Sequence, residues 1–203
     1  MKQVTLSKQN LNPNFIGSWE IDPLSICDDL ITYFESNENR QKKGVTGSGK
    51  NIDIKNSIDI TIDPNEIKIP GNEAFEEYFK TLFLCYKDYS EQWPFLAIFP
   101  EDLHIGEFNL QRYQSGQHFG GLHTERNSLG TLHRVFAWMT YLNDVDVQDG
   151  GSTFFSHYGI EVQPKKGLTL IWPAEWTHAH QGNLLHANSK YIITGWMHFP
   201  HKF

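Results

Sequence analysis

Apolar residues recur at helical spacing in two stretches of the N-terminal half. Leu24, Cys27, Leu30, Ile31 and Phe34 follow Asp22-Pro23, a pair that offers a helix cap and a first-turn proline, so the pattern predicts a helix ending near Ser36. Phe75, Tyr78, Phe79, Leu82, Phe83 and Tyr86 form one face after the potential cap Asn72 and predict a second helix from about Glu73 to Tyr89. Ile58, Ile60 and Ile62 alternate with polar neighbours and read as a strand. The stretch Lys42–Lys50 mixes glycine with positive charge. It lacks the GxxxxGK[ST] order of a phosphate loop, and no apolar strand leads into it, so a mobile surface loop is expected. From residue 104 onward the texture changes to short alternating or apolar runs separated by Gly, Asn, Asp and Pro. Candidate strands are 107–113, 134–142, 153–155, 159–163, 168–172, 176–181 and 190–198. Short strands at even spacing predict a mainly β sandwich or jelly roll with helices buttressing one outer face.

With 203 residues, 39% hydrophobic and 14% aromatic, the chain can build one sizeable core. One domain over 1–203 is expected, with 1–103 as helical support and strands and 104–203 as the core. A formal net charge of -7 and the lack of a Lys/Arg-rich run disfavour a nucleic-acid partner, which would need clustered basic side chains. Cys27 and Cys85 form no CxxC pair and read as two buried thiols in a reducing compartment. The first twenty residues carry no apolar h-region, and no run approaches a membrane span, so a soluble cytoplasmic protein without a membrane partner is expected.

Ten histidines prompt a search for a metal site. His123 and Glu125 stand two apart, and in extended backbone residues i and i+2 project from one face, so a single ion could touch both. A third ligand must come from elsewhere, and Trp176-Thr177-His178-Ala179-His180 supplies two candidates, His178 and His180. Two histidines and one carboxylate, with coordination positions left open, mark Fe(II) oxygenases.

The surroundings resemble the prolyl-4-hydroxylase-like branch of the Fe(II)/2-oxoglutarate-dependent dioxygenases over about the last ninety residues. Tyr113-Gln114-Ser115-Gly116-Gln117 followed by His123 and Glu125 looks like the family's Y-x-x-G-Q...H-x-D segment. Arg134, Tyr141-Leu142-Asn143-Asp144 and Gly150-Gly151-Ser152-Thr153-Phe154-Phe155 look like its R...YLN-D...GG-x-T-x-F block. Pro164-Lys165-Lys166-Gly167 matches its P-K-x-G turn, and His180, Lys190 and Trp196 reproduce the spacing of distal histidine, lysine and tryptophan. Glutamate stands where the family usually has aspartate.

The resemblance implies a double-stranded β-helix, the cupin-like jelly roll whose mouth holds the metal. It implies His123, Glu125 and His180 as iron ligands, the spacing to Lys190 favouring His180 over His178. Lys190 would grip the far carboxylate of 2-oxoglutarate, assisted by Tyr113, Tyr141 and Thr194. Arg134 and Trp196 would face the substrate, while His178, of the same strand parity as His180, reads as a substrate-facing group or a support for the ligands, with a surface imidazole as the alternative. The implied reaction uses Fe(II), 2-oxoglutarate and O2, with ascorbate as an accessory reductant. It hydroxylates an unactivated C–H bond and releases succinate and CO2. A peptidyl proline is the first substrate expected, with a small metabolite as the alternative, and the acidic balance of the chain would suit a basic peptide. Two competing readings are a cupin-like isomerase or cofactor-independent dioxygenase built on His178 and His180, and a jelly-roll binding module without activity.

Overall fold

The computed structural model describes residues 1–3, 13–46, 49, 51–99 and 102–200. In chain order its elements are β1 (Lys2–Gln3), β2 (Gly17–Glu20), α1 (Ser25–Ser36), β3 (Lys42–Lys43), β4 (Ile58–Ile62) and α2 (Glu73–Gln92). The strands of the C-terminal half follow: β5 (His104–Ile105), β6 (Phe108–Gln114), β7 (Phe119–His123), β8 (Arg134–Tyr141), β9 (Thr153–Phe155), β10 (Ile160–Val162), β11 (Leu168–Pro173), β12 (His180–Gly182) and β13 (Ser189–His198).

Two antiparallel sheets face each other. The major sheet runs β1-β2-β11-β8-β13-β6-β4-β3, with β5 also on β13, and the minor sheet runs β10-β9-β12-β7. Mainly β architecture with two flanking helices agrees with the expected jelly roll. Strands of the N-terminal half are woven into the same sheet as strands of the C-terminal half: β2 pairs with β11 (Glu20 opposite Leu168), and β4 pairs with β6 (Ile60 opposite Leu110).

Period-two alternation in the major sheet builds two cores from the same strands. Phe136, Trp138, Ile171, Ile193 and Met197 join Leu30, Phe34, Phe75, Tyr78 and Leu82 of the helices in one cluster. Ala137, Met139, Tyr141, Leu170, Trp172 and Ile192 point the other way and meet Phe155 and Ile160 of the minor sheet. Two threonines and a tyrosine trapped in the helix-facing layer pair with one another, Tyr78 Oη lying 2.8 Å from Thr140 Oγ1, which lies 2.6 Å from Thr169 Oγ1, while the Trp138 indole nitrogen of the same layer has no partner among the described residues. Gly195 keeps β13 close to this layer, since a Cβ there would stand 2.6 Å from Trp138 Cζ2.

Several local expectations are corrected. Helix α1 begins at Ser25 with Leu24 in the cap position, and Asp22-Pro23, a cis peptide, precedes it as a turn. Phe83 is 63% exposed, and the buried face of α2 continues instead through Cys85 and Tyr89. The strand expected over 176–181 is a 3-10 turn, Trp176–His178, followed by the short β12. The expected Lys42–Lys50 loop opens with β3, and its residues 47, 48 and 50 lie outside the described residues. Both cysteines are buried and free, and burial pushes their thiols up, Cys27 to about 11 and Cys85 to about 12. Among the described residues, no helix is long and apolar enough to cross a membrane.

Candidate metal and cosubstrate site

The minor sheet brings the histidines together by register. His180 on β12 is the direct cross-strand partner of His123 on β7, and their ring centroids lie 4.4 Å apart. Directly opposed residues project to the same face of an antiparallel pair, which is why two segments distant in sequence aim both imidazoles at one point. Each Nδ1 is held by a backbone carbonyl two residues earlier, His123 by Gly121 O at 2.8 Å and His180 by His178 O at 2.9 Å. With Nδ1–H donating to a carbonyl, Nε2 keeps its lone pair, the tautomer a metal ligand needs.

Glu125 follows β7 and completes the cluster. Its Oε1 lies 3.6 Å from His123 Nε2 and 3.4 Å from His180 Nε2. The ligand atoms of His123, Glu125 and His180 all lie within 4.8 Å of one another, a set able to hold one divalent ion. Burial works to raise the Glu125 pKa, yet the two imidazoles, when they carry a proton on Nε2 in place of a metal ion, hold it well below the usual carboxylate range by hydrogen bonding and charge. Phe119 stacks on the His123 ring at 3.9 Å with an interplanar angle of 10° and fixes its plane from the far side.

The major sheet contributes the opposite wall. Lys190 is 3% exposed, donates to Gly151 O at 2.7 Å and lies 4.6 Å from the Tyr113 ring centroid. Gly150 and Gly151 have φ of +74° and +71°, left-handed values that favour glycine, and this turn delivers the Gly151 carbonyl to the ammonium. No carboxylate pairs with Lys190 among the described residues, and burial pulls its pKa down to about 7. A buried cation short of a counter-charge suits an anionic ligand. His123, Glu125, His180, Lys190, Tyr113, Thr194, Arg134 and Trp196 line one cavity of about 1250 Å³.

Other expected residues sit differently. Tyr141 is fully buried outside the cavity lining and donates to Thr153 Oγ1 at 2.6 Å, so it reaches the cavity only through Thr153. Thr194 donates its hydroxyl to Trp138 O at 2.8 Å and can offer a carboxylate no hydrogen unless that bond breaks. Trp196 lines the cavity, but its indole N–H is spent on Glu125 Oε2 at 2.7 Å. His178 is outside the cavity lining and buried: Nε2 lies 2.8 Å from Asn14 O and Nδ1 3.0 Å from Thr177 Oγ1. It is neither a surface imidazole nor turned toward a substrate. Sequence reasoning missed Thr153 and Phe119 as members of the site. It also missed the buried pair Lys55–Asp59 (2.6 Å), which accepts from Gln111 at 3.3 Å, while Tyr113 donates to Gln111 at 2.8 Å.

Residues 108–198 match the family model of the 2OG-Fe(II) oxygenase superfamily. That segment is a 2OG-Fe(II) oxygenase domain. Fe(II), 2-oxoglutarate and O2 are accordingly its cofactors and cosubstrates, and the cupin-like isomerase and inert-module readings are not favoured. Solved structures share the fold of this oxygenase across nearly its whole length. A Pseudomonas putida prolyl-4-hydroxylase is 18% identical, with a TM-score of 0.70 over 93% of this chain and 95% of the other. The viral collagen prolyl hydroxylase of Paramecium bursaria Chlorella virus-1, solved with 2-oxoglutarate, is 15% identical, with a TM-score of 0.68 over 95% of this chain and all of the other. A prolyl hydroxylase from Trichoplax adhaerens, in complex with a hypoxia inducible factor peptide fragment, is 15% identical, with a TM-score of 0.71 over 93% and 86%. No curated protein matches the chain.

Proposed function

We propose that this oxygenase hydroxylates an unactivated C–H bond of a peptide, a prolyl residue first, with His123, Glu125 and His180 holding the iron and Lys190 receiving the far carboxylate of 2-oxoglutarate. The single observation that carries the reading is a His-Glu-His cluster on one sheet facing an uncompensated buried lysine on the other, across one cavity. When bound, the iron and 2-oxoglutarate supply the oxidising power for C–H hydroxylation, with succinate and CO2 as co-products. The chain's own residues bind, orient and exclude water. Lys190 supplies charge, Tyr113 shields that charge with its ring, and Phe119 and Trp172 wall the imidazoles. None needs to act as a general base.

A cavity of about 1250 Å³ exceeds what a free amino acid fills, which supports a peptide. Its rim includes Lys42 and Lys43, which make no ion pair among the described residues, together with Arg134. This locally basic rim speaks against the basic peptide suggested by net charge alone. The test is anaerobic loading with Fe(II) and 2-oxoglutarate, then admission of air with a panel of proline-containing peptides. Succinate release stimulated by such a peptide, with a product heavier by one oxygen atom, is the expected result. Stimulation by free metabolites alone would remove the peptide from the proposal.

A further inference from the structure

Glu125 has one methylene more than the aspartate usual in the motif it resembles, and the structure shows where the added reach goes. Oε1 faces the two imidazoles, while Oε2 turns away and accepts from Trp196 Nε1 at 2.7 Å. Arg134 closes the arrangement. Its guanidinium lies 3.5 Å from the centre of the Trp196 ring, its Nη1 donates to Glu125 O at 3.1 Å, and the same nitrogen stands 3.8 Å from Oε2.

We infer that Trp196 is a positioning residue for the metal: its indole N–H occupies Oε2 so that Glu125 offers Oε1 alone, and Arg134 holds the indole in that orientation. A glutamate has three rotatable bonds, and unrestrained it could present either oxygen or both to an ion. A charge-assisted hydrogen bond to one oxygen removes that choice. A cation over the indole face draws the ring's π density toward itself and leaves the N–H hydrogen more positive, a better donor. Outer partners of this kind fix ligand orientation and basicity. The inference rests on the ligand set proposed above.

Trp196→Phe keeps a ring for Arg134 to stack on and removes only the N–H. Mn(II) binding, followed by the EPR signal of the free ion without 2-oxoglutarate or turnover, should weaken by about tenfold, with the circular dichroism spectrum unchanged. Glu125→Asp is too short to reach both the imidazoles and the indole and should weaken binding by itself. Adding Trp196→Phe to it should cause little further loss, because the N–H has already lost its acceptor. An affinity of Trp196→Phe within about twofold of the unaltered protein, or penalties that add in the double variant, would overturn the inference. Failure of the unaltered protein to take up Mn(II) would instead remove the ligand set itself. Should Trp196→Phe not fold, β-(3-benzothienyl)alanine at 196 keeps the indole shape with sulfur in place of N–H, and the same thresholds apply.

Discussion

At the scale of single residues, His178 and His180 differ by what their nitrogens already hold. His180 has Nε2 free toward Glu125, whereas both nitrogens of His178 are engaged by Asn14 O and Thr177. His180→Ala should abolish metal uptake and succinate formation. His178→Ala should retain metal uptake while losing about 1–3 kcal/mol of stability through the unpaired Asn14 carbonyl; calorimetric metal titration and chemical denaturation check the pair. Lys190 gives a pH signature. Its ordinary value is 10.5 and burial brings it to about 7, so between these values the unfolded chain binds more protons than the folded one. Stability therefore rises with pH through that window and carries the full burial penalty below it. Lys190→Met should flatten this rise in urea titrations of the protein without cosubstrate, and should raise the KM for 2-oxoglutarate far more than it changes metal affinity. His123 and Glu125 were legible in the sequence from their i, i+2 spacing, whereas His180 and Lys190 were legible only through the resemblance to the oxygenase motif, since strand parity left His178 and His180 equivalent. The partners of Thr194, Tyr141 and Trp196 were not legible, because parity says nothing about which carbonyl or carboxylate stands opposite.

At the scale of elements, β13 carries the most varied demands. Its inner face presents Lys190, Ile192, Thr194 and Trp196 to the cavity, while Ile193 and Met197 pack toward the helices. Gly195 belongs to the helix-facing set, where Trp138 and the Cβ of Phe108 leave no room for a methyl group. Gly195→Ala should destabilise the fold by about 1–3 kcal/mol through overpacking, with loss of thermal midpoint preceding any loss of metal affinity. The long elements were readable since their periodicity runs over many residues, as in α2 and β8. Strand β2 was not read: it is four residues long, contains a serine, and is buried because α2 and β11 cover it. The 3-10 turn Trp176–His178 escaped too, as three residues are too few for a period.

At the scale of the molecule, the segment that matches the oxygenase family is only part of what folds. Residues 104–203 alone would leave β11 without β2, β6 without β4, and the helix-facing layer of Phe136, Trp138 and Ile193 open to water. Such a fragment should be insoluble or bind ANS strongly, while co-expression with 1–103 should restore soluble, metal-binding protein; light scattering and dye fluorescence check both. Substrate choice was the least legible feature. Net charge describes the whole surface, whereas the cavity is lined locally, by residues of β3, β4 and β8 among others.

The sheet order also sets a timetable for biosynthesis. Glu20 leaves the ribosome long before Leu168, its register partner, exists. Until then β2 and the sheet-facing sides of α1 and α2 lack the strands they pack on, and the fold cannot close before β11 and β13 are made. The nascent N-terminal half is therefore the species with apolar surface still open, and the long separation between register partners makes closure of this sheet a late, non-local step.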